Sequence, residues 1–214
     1  RGWFPPVTPG TKFITVGGAI ASDVHGKNHH LEGSFCDHVS EFRLALPDGQ
    51  VVACSPDDTP ELFRATCGGM GLTGIVLDAT FRLKPIRSGA IEQTTVRIEN
   101  LEHAFECFEK YEQTTYSVAW IDCVAKGSAM GRSILIRGEH ARRDQLSASQ
   151  REAPFGIAPP RRKTVPCYLP SFSLSTLSVS AFNSIYYRAH KNRAGVIQPY
   201  APFFYPLDAV NHWN

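Results

Sequence analysis

The stretch Gly10–His30 constrains the fold most, because an apolar run there meets a glycine pair and then a dense polar segment. Phe13–Val16 precedes Gly17 and Gly18, and seven polar or ionisable residues follow within nine positions: Ser22, Asp23, His25, Lys27, Asn28, His29 and His30. Glycine has no Cβ, so another backbone or a flat ligand can approach closely. We therefore predict a strand over Lys12–Ala21 whose glycines form one wall of a cofactor site, followed by a polar loop over Asp23–Gly33 beside it.

Size and charge limit the classes of protein that this chain can be. Its 214 residues, 43% of them apolar, suffice for one good core with a small second lobe. A net charge of +2 gives no reason to expect a nucleic-acid partner. No run approaches the roughly 20 apolar residues that cross a bilayer. Because the chain begins at Arg1 within a proline-rich segment, we expect it to be a fragment.

The first half of the chain has clear signals for a hairpin and a helix. Asp48-Gly49 joins two alternating apolar runs, since Gly49 can adopt positive φ. Thr59 followed by Pro60 predicts the start of a helix that ends at the Gly68-Gly69 pair. The predicted strands of this half are 41–46, 50–54 and 73–83.

The second half indicates an α+β lobe. A strand over Ile91–Ile98 precedes a helix over Asn100–Gln113 capped by Asn100, and two further strands follow at 117–124 and 133–137. A strand-helix-strand-strand order favours an antiparallel sheet. Residues 142–170 are polar, basic and proline-rich, which is typical of a disordered segment or a functional flap. Another helix is predicted at 174–188.

Two motifs could form a metal site or a nucleotide-binding site. His25, His29 and His30 with Asp23 could in principle bind a metal, but the spacing matches no known signature, so polar loop residues are favoured and no metal is expected. Cys67–Val76 passes from helix to strand through four glycines. A dinucleotide fingerprint needs the reverse order, which excludes a Rossmann or P-loop site.

These residues resemble a known family of flavoenzymes. The matching segments are Thr15–Ala21, His25–His30, Gly33–Phe35 and Gly71–Ile75, with weaker support from Ala119-Trp120, Phe204–Asp208 and Trp213-Asn214. They are similar to FAD-linked oxidoreductases of the vanillyl-alcohol oxidase type, which bind FAD in a PCMH-type domain. Within that superfamily the resemblance is greatest to the decaprenylphosphoryl-ribose oxidase family.

The resemblance implies a domain organisation and a cofactor. Residues 1–86 would be the C-terminal part of the PCMH-type FAD-binding domain, and 87–214 a partial α+β substrate (cap) domain in which 142–170 is flexible. FAD would bind non-covalently. The residues implied to line the flavin and its pyrophosphate are Gly10, Thr15, Val16, Gly17 and Gly18; those along the isoalloxazine edge are Ser22, Asp23, Val24 and His25; Val76 would pack on the ring.

The resemblance also implies an activity. The intact protein would oxidise a secondary hydroxyl of a sugar, in particular a polyprenyl-phosphate pentose, by hydride transfer to flavin N5. His25 and Lys27 would be catalytic, with Lys27, Trp120 and Tyr205 binding the substrate. A keto-reductase partner, and a bacterial location in the cytoplasm or at the inner membrane, are further expectations.

Other interpretations stay open. Trp120 is equally compatible with a core position, Tyr205 with a strand-end anchor, and Lys27 with a solvated loop. The alternative function is a non-catalytic α+β fragment or binding module that no longer holds FAD.

Overall fold

The computed structural model of the chain describes residues 1–156, 163–164 and 170–211. The chain divides into two compact units. The first comprises Arg1–Ile86 with Phe204–Asp208, and the second comprises the described parts of Arg87–Phe203 and Ala209–Asn214. Assigning these units to a flavin domain and a substrate domain stays a prediction.

The first unit contains a three-stranded antiparallel sheet. Its elements are β1 (Trp3–Phe4), α1 (Val16–Ala21), α2 (His29–Glu32), β2 (Val39–Ala45), β3 (Val51–Cys54), α3 (Pro60–Thr66), β4 (Ile75–Phe81) and β5 (Lys84–Pro85). Strand β2 lies between β3 and β4, while β1 and β5 form a separate antiparallel pair. The core includes Ile20, Phe42, Leu44 and Phe63, and the rings of Phe42 and Phe63 stack 5.1 Å apart. Burial of these side chains supplies most of the free energy that holds the sheet and α1 together.

The hairpin and the helix α3 confirm two sequence predictions. Gly49 has φ +86° in the turn between β2 and β3, as the Asp48-Gly49 signal requires. Pro60 begins α3, although the Thr59 hydroxyl accepts a hydrogen bond from the backbone N–H of Ser55 and not from the helix. The helix ends before Gly68, whose φ is +74°.

The predicted strand over Lys12–Ala21 is wrong, because Val16–Ala21 forms helix α1. Thr15 is its N-cap, and the Thr15 hydroxyl accepts a 2.9 Å hydrogen bond from the backbone N–H of Gly18. The predicted polar loop over Asp23–Gly33 is also interrupted, by the short helix α2. Glycine is a poor helix former, so helix propensity did not predict a helix at the pair Gly17-Gly18.

The second unit is built on a four-stranded antiparallel sheet in the order β10-β6-β8-β7. Its elements are β6 (Ala90–Ile98), α4 (Leu101–Lys110), β7 (Tyr116–Ile121), β8 (Ser133–His140), α5 (Ala148–Glu152), β9 (Lys163–Thr164), α6 (Thr176–Ala189), β10 (Arg193–Pro199), α7 (Tyr200–Phe204) and β11 (Val210–Asn211). As predicted, Asn100 caps α4, which packs on the sheet through Ala104 and Cys107. The antiparallel sheets and helices confirm the α+β class.

Short 3-10 helices complete the chain, at Phe35–His38, Gly127–Ala129, Arg143–Gln145, Ser171–Leu174 and Pro206–Ala209. The predicted flexible segment 142–170 contains α5 and β9, and its residues 157–162 and 165–169 lie outside the described residues. Among the residues that the structure describes, no helix combines the length and apolar character that a membrane-spanning segment needs.

Candidate functional site

The segment that leads into α1 is fastened by residues from near the end of the chain. The ring of Phe4 lies 5.1 Å from that of Phe204, and the hydroxyls of Thr8 and Tyr205 are 2.8 Å apart. Further along, the Thr11 hydroxyl donates a 2.6 Å hydrogen bond to Asp208 Oδ1. These contacts within the first unit fix the path of residues 4–12 toward the glycine pair.

Helix α1 lies against both glycine-rich segments. The backbone N–H groups of Gly68 and Met70 donate to the carbonyls of Ile20 and Ala21, at 3.0 and 2.8 Å. Carbonyls in the last turn of a helix need such partners, so the glycine-rich loop completes the helix. On the side facing β4, a Cβ added to Gly17 would lie 3.9 Å from Val76 Cβ. The structure thus brings Gly17 and Val76 together.

Large apolar side chains around this junction are open to solvent. Met70 and Ile75 are 72% and 71% exposed, and Val16 on α1 is exposed as well. Other exposed apolar residues of the same segments are Phe13, Leu72 and Leu77. Exposed apolar groups in such number mark a surface that binds a ligand or another protein segment.

The polar loop after α1 is held by Asp23, which has φ +38°. Asp23 Oδ1 accepts from the backbone N–H of Cys36 at 3.0 Å, and Oδ2 accepts from the Ser34 hydroxyl at 2.9 Å. His25 forms an isolated β-bridge with Ser34, and its exposed side chain lies edge-on to His29 at 5.7 Å. The carboxylate of Asp23 therefore orders the loop, while the imidazole of His25 is available to a ligand.

Lys27 occupies a tightly fixed position in this loop. A side chain at Gly26 would meet the carbonyl oxygen of Thr8 at 2.7 Å, so only glycine fits there. Asn28 is fully buried, and its Nδ2 donates to the carbonyl of Pro6 at 2.7 Å and to Glu32 Oε2 at 2.6 Å. The chain is thus held in a fixed position on both sides of Lys27.

The ammonium of Lys27 is partly buried, and burial lowers its pKa from the ordinary 10.5. Glu32, which accepts the hydrogen bond from Asn28, forms an ion pair with Lys84 at 2.6 Å. Among the described residues, no carboxylate forms an ion pair with Lys27. A partly buried cation without a counter-charge is suited to bind an anionic ligand.

The remaining predicted site residues have varied environments. Gly10 and Ser22 are exposed, and the Ser22 hydroxyl lies 3.8 Å from Met70 Sδ. Val24 packs against the core of the first unit, and Tyr205 is buried beside Thr8. Trp120 belongs to the second unit, where its ring lies 4.7 Å from that of Tyr186. The predicted residues that the structure groups together are hence those of α1, the His25 loop and Val76.

Sequence reasoning did not predict that Asn28 is buried or that Met70 and Ile75 are exposed. Asn28 stands next to Lys27, but nothing in its sequence context shows that it is buried. Exposure of an apolar strand residue likewise has no local signal. Within the described ranges, no three His, Cys, Asp or Glu side chains gather as metal ligands.

Comparison with known proteins finds a family match within the first unit. Residues 1–55 match the family described as an FAD binding domain. This part of the chain is thus similar to an FAD-binding domain. The match supports FAD as the cofactor, as the sequence resemblance implied.

Several curated relatives agree with this assignment. The decaprenylphosphoryl-beta-D-ribose oxidase of Mycolicibacterium smegmatis is 34% identical over the whole chain, which covers 47% of that protein. An uncharacterised protein of the mprA 5' region in Streptomyces coelicolor is 35% identical over 97% of the chain, covering 58% of that protein. A putative D-arabinono-1,4-lactone oxidase of Neurospora crassa is 33% identical over 49% of the chain, covering 18% of that protein. The chain thus spans about half the length of the first two relatives.

Proposed function

We propose that the protein is an FAD-dependent oxidoreductase that oxidises a secondary hydroxyl of a sugar carried on a polyprenyl phosphate. The observation that carries this proposal is Lys27, a partly buried ammonium without a carboxylate partner among the described residues. It lies two residues from the exposed imidazole of His25, in the unit that carries the FAD-binding family match. A phosphate-bearing substrate would supply the missing counter-charge.

The surface around α1 fits a flavin. The accessible backbone of Gly17 and Gly18 offers a face without side chains, and Val76 lies beside it. Exposed Val16, Met70 and Ile75 supply apolar contact of the kind that a planar ring buries. Residues 22–25 continue from the end of α1, where the sequence resemblance places the edge of the isoalloxazine.

Lys27 and His25 have distinct proposed roles. FAD, when bound, supplies the hydride acceptor at N5. Lys27 binds the phosphate oxygens of the substrate through charge-assisted hydrogen bonds and orients the sugar. His25 polarises the reacting hydroxyl and receives its proton on a ring nitrogen, because a neutral imidazole nitrogen can act as a general base.

Other parts of the proposal come from the resemblance and the curated relative. For Trp120 and Tyr205, contact with the substrate remains a prediction. A keto-reductase partner and a peripheral place at the bacterial inner membrane likewise remain proposals. The M. smegmatis relative is named an oxidase of decaprenylphosphoryl-beta-D-ribose, which supports a polyprenyl-phosphate pentose as the substrate.

The test is anaerobic reduction of bound flavin by the sugar substrate in full-length protein. His25→Ala should slow reduction by about 100-fold or more, the usual contribution of a positioned acid–base group. His30→Ala is the matched control, since His30 is also exposed and carries no proposed role. An unchanged reduction rate in His25→Ala would remove His25 from the chemistry.

The alternative is a non-catalytic binding module that no longer holds FAD, in which exposed Met70, Leu72 and Ile75 would contact another protein segment. Colour separates the two functions. Protein with a flavin absorption band supports the enzyme, whereas colourless protein that fails to take up added FAD supports the module.

A further inference from the structure

A long part of the chain carries positive charge only. Residues 153–207 contain six basic residues and no acidic one, whereas the whole chain is nearly balanced at +2. Among the described residues of this part, the basic ones are Lys163, Arg188, Lys191 and Arg193, all exposed. A one-signed stretch of this length favours an anionic binding surface.

Helix α6 lies in this stretch and is fixed in rotation by two buried residues. Asn183 Nδ2 donates a 2.7 Å hydrogen bond to Asp122 Oδ1, and the Tyr187 hydroxyl donates to the carbonyl of Ile98 at 3.1 Å. The two residues are four apart and share one face of the helix. The opposite face of α6 is therefore held toward solvent.

That solvent-facing side of α6 is apolar, which is unusual for a surface helix. Leu177, Phe182 and Ile185 are 82%, 60% and 69% exposed. Phe172 and Leu174, in the preceding 3-10 helix, are also highly exposed, and the Ser178 hydroxyl donates to the Phe172 carbonyl at 3.0 Å. We name these five apolar residues the α6 surface. Arg188 follows on the same side, three residues after Ile185.

We propose that the α6 surface docks on the face of an anionic lipid bilayer. Its apolar side chains would enter the headgroup boundary while Arg188, Lys191 and Arg193 contact anionic headgroups, the arrangement typical of interfacial helices. Helix α6 has 14 residues and no acidic side chain. A second copy of the chain is a poor occupant, because an isologous pairing of α6 would bring Arg188 of one copy close to Arg188 of the other. The proposal assigns a surface to the peripheral membrane location proposed above; it is supported by charge and exposure and does not rest on the flavin chemistry.

The test is vesicle flotation of the full chain. Vesicles of phosphatidylcholine alone are compared with vesicles containing about 30 mol% phosphatidylglycerol. We expect flotation with the anionic vesicles only, weakened by added salt. The double variant Phe182→Gln/Ile185→Gln should bind about tenfold less, and Lys191→Glu or Arg193→Glu about fivefold less each.

The matched control is Phe105→Gln, since Phe105 on α4 is 62% exposed in the same unit and has acidic neighbours at Glu102, Glu106 and Glu109. It should keep wild-type binding. Leu177→Gln serves as a second variant if the double variant has a lower melting temperature. No flotation, equal flotation with both vesicles, or equal loss in Phe105→Gln would overturn the proposal. So would sedimentation as a dimer that the double variant abolishes, which would assign the surface to a second copy.

Discussion

Lys27 in the first unit and Asp122 in the second are both charged groups withdrawn from water, but their surroundings are opposite. Asp122 is 1% exposed, and its carboxylate accepts from Asn183 Nδ2 at 2.7 Å, Arg132 Nε at 2.8 Å and the N–H of Val124 at 3.1 Å. Lys27 is partly buried, and among the described residues it has no carboxylate partner. The chain thus supplies charged and polar partners for the carboxylate of Asp122, whereas its described residues supply no carboxylate for the ammonium of Lys27.

The difference teaches how a structural charge is told from a functional one. Burial alone would raise the pKa of Asp122, but the hydrogen bonds from Asn183, Arg132 and Val124 outweigh it and lower the pKa. For Lys27 burial acts alone, and it lowers the pKa. A buried charge that the fold has fully paired stabilises one conformation, while an unpaired one costs stability and indicates a ligand.

The largest effect is expected at Asp122. Asp122→Ala leaves Arg132 and Asn183 without their acceptor, so the free energy of unfolding should fall by about 3–5 kcal/mol. Urea unfolding followed by circular dichroism measures it. Asp144→Ala is the matched control, because its ion pair with Arg142 is exposed and should hardly change the free energy of unfolding. A loss in Asp122→Ala no larger than in the control would break the comparison.

The lowered pKa of Asp122 predicts how the stability of the folded chain depends on pH. The pKa of Asp122 is lower in the folded chain than its ordinary 3.8, so its contribution to stability is present above that value. It is lost as pH falls through the lower folded pKa. Asp122→Asn should therefore lose less stability than wild type as the pH falls below 3.8. Equal acid sensitivity in the two proteins would show that Asp122 does not contribute.

The next largest effect is expected at Lys27. Lys27→Met should reduce turnover of a phosphate-bearing substrate by about 100-fold, since a charge-assisted contact is lost. The same substitution should raise the free energy of unfolding by about 1 kcal/mol. At neutral pH, below the ordinary 10.5, the charged lysine costs stability that methionine does not.

Steady-state kinetics and urea unfolding measure the two effects of Lys27→Met. Lys126→Met, at an exposed lysine of the second unit, should change neither. Lower stability of Lys27→Met with unchanged kinetics would assign Lys27 to the structure and remove the contrast with Asp122.

Local signals in the sequence predicted much of the fold. Asp48-Gly49 determines the hairpin and Asn100 caps α4, and both act within a few residues of themselves. Helix α1 could not be predicted, because its glycines disfavour a helix and its last carbonyls depend on Gly68 and Met70, about 50 residues away. Asp122 was likewise missed, since Asn183 lies 61 residues from it.

The candidate site was predicted in part. The residues of α1, the His25 loop and Val76 were named from the sequence, and the structure groups them in one unit. The unpaired state of Lys27 and the exposure of Met70 and Ile75 follow from tertiary packing, which no short motif encodes.

The central claim is that the glycine face of α1 receives the flavin, and an FAD titration of Gly17→Ala followed by flavin fluorescence tests it most directly. The new methyl would lie 3.9 Å from Val76, an ordinary contact, so the melting temperature of the apoprotein should stay equal or rise. The account predicts that wild type binds FAD and that Gly17→Ala binds it about tenfold more weakly, because the methyl fills space the ring needs. Equal affinity of the two proteins for FAD would contradict it.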